Sequence, residues 1–293
     1  MRPQPEPTRP PEEEAALIPS PPPSAHRLDL RPAAGPSGPA SPASGLAAGR
    51  ARSRRAAGLA AALLLALLAA LPAAAWDVRP DAPEESFRLF HERFAGAAYH
   101  FPKHSASPLG LIGFEVFADL AADRDFDEEG FYPDVVAGDL PGGTLAIARV
   151  GVRKGLPGGV DLGLAYGQAL DGEMELVSGD VQWAFVDGGA VTPALALRLT
   201  GTQNLDSGPY QLEQYGAELM VSKGFAILTP YAGAGFVWDE GTLERTDGSE
   251  VSVDDEHYVL YGGLVLNLLL PKIVVEVEKA EHLQAAVKVG FGF

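Results

Sequence analysis

The last eleven residues, Leu283-Gln-Ala-Ala-Val-Lys-Val-Gly-Phe-Gly-Phe293, constrain the fold more than any other stretch. Read with a period of two, Ala285, Val287, Val289, Phe291 and Phe293 share one face, while Gln284, Ala286, Lys288, Gly290 and Gly292 share the other. Successive side chains of a strand point to opposite sides. The segment therefore reads as a strand between an apolar surround and a wet or crowded interior. It ends on Phe293, an aromatic that a strand in water would have to bury.

The composition divides near residue 76. Residues 1–49 are rich in Pro, Ala, Ser and Gly with no aliphatic run, and such a segment cannot bury enough apolar area to offset its chain entropy. It is expected to be a disordered extension. Residues 50–75 read as a signal peptide. Arg50, Arg52, Arg54 and Arg55 precede an apolar run from Ala56 to Leu71, and Ala73 and Ala75 supply the small-residue cleavage pattern. The run is short of the ~20 apolar residues a spanning helix needs. A basic region this far into a chain predicts that translation starts downstream, near Leu46.

Removing residues 1–75 takes away 8 basic and 5 acidic residues and moves the net charge from −17 to −20. So acidic a chain is a poor partner for nucleic acid, which selects a basic face. With no cysteine, disulfides, thiol nucleophiles and thiolate-held metals are excluded. No later apolar run is long enough for a membrane helix. If the mature chain crosses a bilayer, it does so as a closed barrel, the one strand architecture that satisfies every backbone group in lipid.

Residues 76–108 form a pre-barrel segment. Pro83-Glu84-Glu85-Ser86 resembles a helix start, and Phe87, Phe90, Phe94 and Ala97 follow at helical spacing. This amphipathic helix is expected to bury its Phe stripe against the barrel, at a rim or as a plug in the lumen. His91, His100 and His104 read as surface histidines, since Pro102 interrupts any helical pairing of the last two.

Residues 109–293 alternate repeatedly. Strands are expected at 110–121, 143–154, 158–168, 175–186, 192–203, 210–222, 226–238, 257–268, 271–279 and 283–293. Short connections at 154–159, 186–190, 223–225 and 269–271 alternate with longer ones at 122–142, 169–174, 204–209 and 239–256, then a short one at 280–282. Outer-membrane barrels have short periplasmic turns and longer external loops. The fold class expected is all-β: a closed antiparallel up-and-down transmembrane β-barrel of about ten strands (8–12), with a short N-terminal amphipathic helix.

Lys154-Gly-Leu-Pro-Gly-Gly-Val-Asp-Leu-Gly163, Lys223-Gly-Phe-Ala-Ile-Leu-Thr-Pro-Tyr-Ala-Gly-Ala-Gly235, Tyr261-Gly-Gly263 and Val287-Lys-Val-Gly-Phe-Gly-Phe293 resemble segments of proteobacterial outer-membrane β-barrel proteins. The resemblance covers about 109–293 and is nearly silent on activity. It implies that Phe291 and Phe293 form the signal read by the outer-membrane assembly machinery. It also implies outer-membrane lipid and lipopolysaccharide as surroundings.

The presumed lumen face carries Glu115, Asp119, Asp161, Glu218, Glu276 and Glu278 beside Arg149, Arg153, Arg198 and Lys288. Unpaired burial of such charges is costly, so they read either as a salt-bridge network filling the barrel or as a charged, narrow solute path. Gly on the same face leaves room for a plug, for a pore, or for strand curvature. Asp123-Arg-Asp-Phe-Asp127 has the spacing of a calcium loop, but Glu128 stands where its glycine belongs. A solvated acidic loop holding divalent cations beside lipopolysaccharide phosphate is expected instead. No cofactor, metal or catalytic residue is assigned. The protein reads as non-enzymatic, either structural and surface-interacting or a narrow channel. The alternative is an omptin-like protease at the external mouth. There His257, oriented by Asp255, would activate water opposite Asp123 or Asp125.

Overall fold

The computed structural model describes residues 77–127, 130–138, 143–170, 172, 174–205, 208–268, 271–280 and 282–292. The expected extension 1–49, the signal peptide with Ala73 and Ala75, and Phe293 lie outside the described residues.

Ten strands close into one antiparallel barrel. They are β1 (Phe114–Asp123), β2 (Leu145–Leu156), β3 (Val160–Ala169), β4 (Glu175–Val186), β5 (Ala194–Leu205), β6 (Tyr210–Ser222), β7 (Leu228–Glu244), β8 (Glu250–Asn267), β9 (Pro271–Lys279) and β10 (Leu283–Gly292). Each strand pairs with its chain neighbour. β10 closes the ring on β1, from Gln284 opposite Asp123 to Gly292 opposite Glu115. No strand edge is left open, as lipid requires.

The side-chain alternation fixes which face is inside. Leu162, Leu164, Val181, Leu199, Leu219, Leu260, Val275 and Val287 are exposed on the outer wall. Their chain neighbours point inward and are buried. The aliphatic band lies between two sets of outward aromatics. Trp183, Phe185 and Phe225 mark the end carrying turns 157–159, 187–193 and 223–227. Tyr166, Tyr215, Phe236, Trp238 and Tyr258 mark the other end, where register sets Tyr215 opposite Trp238 and Phe236 opposite Tyr258. An apolar band between aromatic girdles is the outer surface of a lipid-facing barrel.

The expected long loop 239–256 is not a loop. β7 and β8 continue as a paired hairpin to Glu244 and Glu250, closed by residues 245–249. Beyond Trp238 the pattern inverts: Glu240, Thr242 and Glu244 face out, while Gly241 and Leu243 face in. The hairpin rises above the apolar band into water, so its outer face is polar.

Helix α1 (Glu84–Ala98) lies inside the lumen, not on a rim. Phe87, Phe90 and Phe94 are fully buried against Leu145, Leu176, Tyr210, Leu212 and Leu243, all near the loop end of the barrel. Residues 99–109 then run down the lumen to the turn end, where Leu111 and Ile112 emerge exposed before β1 begins. Ala106 N–H donates to Ser222 Oγ at 3.1 Å, and Leu109 N–H reaches both oxygens of Asp161 at 3.1 Å. Residues 124–127 and 130–138 fold over α1 as a cap. Phe126 and Phe131 meet Phe90 edge-on at ring separations of 6.3 Å, followed by the short helix α2 (Tyr132–Val135). Asp77–Val78 pair with Val136–Ala137 in that loop.

Candidate functional site

The interior of the barrel is where the charged residues meet, and the N-terminal segment completes it. α1 has no glycine cap at its end; Ala95 O accepts the Tyr99 N–H at 3.0 Å, and the carbonyls after it need donors from outside the helix. The wall supplies them and adds a second donor to Ala95 O. Gln214 Nε2 donates to Ala95 O at 2.9 Å, Gln284 Nε2 to Gly96 O at 3.1 Å, and Arg149 Nη2 to Ala98 O at 2.8 Å. A guanidinium at a helix C-terminus also meets the negative end of the dipole.

Below the helix, Arg198 and Glu218 form the hub. Arg198 Nη1 donates to Glu218 Oε1 at 2.8 Å and Nη2 donates to His100 O at 2.7 Å. Glu218 also accepts from the hydroxyls of Tyr99 and Tyr261, the latter at 2.7 Å. Asp180 lies 3.2 Å from Arg153, 3.5 Å from His100 and 3.6 Å from Arg198. Arg153 also faces His104 and stands 3.7 Å from Asp161.

A second group forms on the β9–β10–β1 side. Lys103 Nζ is 3.1 Å from Glu278 and 3.5 Å from Asp119, which is 3.8 Å from Arg149. Glu276 sits beside Glu278 and Tyr231. Glu115 receives Lys288 at 2.6 Å and Lys272 at 3.0 Å. The Lys288 ammonium also lies 4.1 Å from the centre of the Phe117 ring, a cation–π contact. Lys103 holds a left-handed backbone, φ 46°, a conformation costing a non-glycine residue about 1–3 kcal/mol.

The structure thus gathers all ten charged residues expected on the lumen face: Glu115, Asp119, Arg149, Arg153, Asp161, Arg198, Glu218, Glu276, Glu278 and Lys288. It adds members that the sequence reading did not select. Asp180 and Gln182 occupy inward positions of β4, alternating with outward Val181 and Trp183, and strict alternation would have found them. Tyr99, His100 and Lys103 belong to an irregular segment without periodicity. Two lumen glycines make room for the plug: a Cβ at Gly216 would overlap the Tyr99 ring, and one at Gly241 the His91 ring. Gly233 and Gly263 instead accommodate the barrel's own Tyr261 and Tyr231. A cleft at the turn end, lined by Lys103, Glu115, Arg153 and Asp161 among others, holds about 50 Å³. That is room for a water molecule or two.

Two expectations are corrected. His91 and His100 are buried, not on the surface, because the segment carrying them is inside the barrel; of the three, only His104 is partly exposed. In the first loop Asp125 and Asp134 are exposed, and two of its acids also cap turns. Asp123 Oδ1 accepts Asp125 N–H at 2.9 Å, Asp127 Oδ1 accepts Tyr132 N–H at 2.9 Å, and Phe126 between them is buried. The protease arrangement is not assembled either. His257 is 4% exposed behind α1. Its nearest acids are Asp239 at 3.3 Å and Asp255 at 3.6 Å, and Asp123 and Asp125 are engaged with each other. Phe291 faces outward near the turn end, opposite Val116 of β1.

No protein-family model and no curated protein sequence matches the chain. Among solved structures, it is similar to the N-terminal β-barrel domain of Pseudomonas aeruginosa OprF. That match has 15% identity, covers 63% of this chain and 99% of that one, and has a TM-score of 0.29. It is similar to the KdgM porin, with 9% identity, 61% and 99% coverage and a TM-score of 0.33. It is also similar to Ail, the attachment invasion locus protein of Yersinia pestis, with 10% identity, 62% and 97% coverage and a TM-score of 0.25. Likeness of this degree carries no function across to this chain.

Proposed function

We propose that the protein is an integral outer-membrane β-barrel sealed by its own N-terminal segment, acting as a structural or surface-interaction protein without enzymatic activity. The observation that carries this is the filled lumen. α1 and residues 99–109 run through it, and their carbonyls and side chains pair with Arg149, Arg198 and Glu278 of the wall. The apolar outer wall between its girdles supports the bilayer as solvent, and the even strand number supports an orientation with both barrel ends on the periplasmic side. The cap over α1 and the polar β7–β8 hairpin then face outward from the cell. Lipid and lipopolysaccharide are the surroundings, with divalent cations bridging exposed acids such as Glu240, Glu244, Glu250 and Asp254. Assembly follows recognition of the strand ending in Phe291 and Phe293, after signal cleavage near Ala73 and Ala75.

The test is conductance in planar bilayers. The full mature chain is expected to give none above lipid background, and a variant lacking residues 77–108 is expected to conduct. Steady conductance by the intact chain would replace the sealed-barrel reading with the narrow channel.

A further inference from the structure

We propose that Asp239, Asp255 and His257 bind a divalent transition-metal cation of the zinc class in the lumen at the loop end of the barrel. The proposal does not depend on the sealed-barrel function.

Strand register brings the three together. Asp239 on β7 and Asp255 on β8 are direct cross-strand partners on the inward face. Like charges placed so are destabilising unless a proton or a cation intervenes. His257 follows two residues on, on the same face. One donor atom from each residue lies within 4.8 Å of the other two.

Spacing and burial both favour a cation over a plain hydrogen-bond chain. His257 Nδ1 is 3.3 Å from Asp239 Oδ2 and 3.6 Å from Asp255 Oδ2. Hydrogen bonds between such groups are about 2.7–2.9 Å long. Ligand atoms about 2.0–2.2 Å from a tetrahedral ion stand roughly 3.3–3.6 Å apart, the edge of its coordination polyhedron. The Asp239 side chain is fully buried and that of His257 nearly so. Even so, Asp239 Oδ2, the oxygen turned toward His257, and both ring nitrogens of His257 make no hydrogen bond. Uncompensated buried polar atoms of this kind are costly, and one cation would satisfy several at once.

The surroundings are those of a metal ligand. His91 of α1 places Nε2 2.9 Å from Asp239 Oδ1, the oxygen turned from His257. Its Nδ1 is 2.9 Å from the Tyr210 hydroxyl. If that hydroxyl donates, His91 carries its proton on Nε2, facing the carboxylate. Outer groups of this sort orient first ligands. The Asp255 side chain is 33% exposed and gives the ion a way in. A mixed imidazole and carboxylate set suits zinc, cobalt or nickel better than calcium or magnesium, which take oxygen ligands. Through His91 the ion would also tie the plug helix to the β7–β8 hairpin.

The experiment uses the full mature barrel, folded in detergent and stripped with chelator. Co2+ is added while the visible ligand-field spectrum is recorded, Zn2+ affinity is measured by calorimetry, and Mg2+ and Ca2+ serve as controls. Wild type is expected to take one equivalent of Co2+, displaced by Zn2+. Asp255→Asn and His257→Gln are expected to weaken Zn2+ binding at least about tenfold, and Asp247→Asn at the hairpin tip to leave it unchanged. Asp255 is partly exposed, so Asp255→Asn decides the matter even if His257→Gln misfolds; sheet circular dichroism verifies folding. Folded wild type that takes up neither Co2+ nor Zn2+, or an Asp255→Asn barrel that binds as wild type does, would overturn the proposal.

Discussion

Replacing Arg198 by Met tests whether the lumen charges hold the structure as a linked network. The Arg198 side chain is fully buried and gives one charge-assisted hydrogen bond to Glu218 and another to the carbonyl of His100. Each is worth about 1.5–3 kcal/mol. Met fills much of the same volume and recovers part of the packing, but it leaves the Glu218 carboxylate with only two tyrosine hydroxyls and Asp180 with one fewer cation. Breaking a buried pair from one side costs about 3–5 kcal/mol, so the folded-to-unfolded ratio should fall by roughly two to four decades. In Arg198→Met/Glu218→Gln no charge is stranded at the hub. That double variant should be far more stable than the two single costs added together, with a coupling of at least ~2 kcal/mol. Denaturant titration in phospholipid vesicles, followed by fluorescence of the outward Trp183 and Trp238, supplies the three differences. If the single costs simply add, Arg198 and Glu218 act independently and the network argument fails.

Two further outcomes follow from the packing. Phe90 is stacked on Phe94 at 5.5 Å and edge-on to Tyr210 at 5.4 Å. Phe90→Ala should therefore cost about 3–5 kcal/mol and make residues 84–98 susceptible to protease while the strands stay resistant, as mass spectrometry of the fragments would reveal. On the outer wall, Leu219→Arg within the apolar band should destabilise the vesicle-embedded barrel by about 2–4 kcal/mol, and Glu240→Arg above the girdle by ~1 kcal/mol or less. Equal costs at the two positions would mean that lipid does not contact that wall.

The strands were legible because lipid and lumen impose opposite polarities on alternate residues, so outward Val, Leu and aromatics announce every crossing. The same rule hid the upper β7–β8 hairpin. Past Trp238 the outside is water, and Glu240-Gly-Thr-Leu-Glu244 looks like a loop to a reader seeking apolar residues facing out. It hid Asp239 as well, the buried acid that faces both His91 and His257. The Phe stripe of α1 revealed that the helix docks but not where, because a rim and a lumen would bury the same three rings. The irregular residues 99–106 carry no periodic signal. The placement of Tyr99, His100 and Lys103 depends on donors and acceptors from strands far along the chain, and only the closed barrel brings these together.

The most direct test of the filled lumen is thiol accessibility, which the absence of native cysteine makes clean. Ala98 and Ala106 are fully buried on the segment inside the barrel, whereas Val191 is 89% exposed in a turn. In folded protein, Ala98→Cys and Ala106→Cys should resist a water-soluble maleimide and react only after denaturation, while Val191→Cys labels at once. Labelling of the first two at the rate of Val191→Cys, in barrels that remain folded, would place the segment outside the lumen and contradict the account.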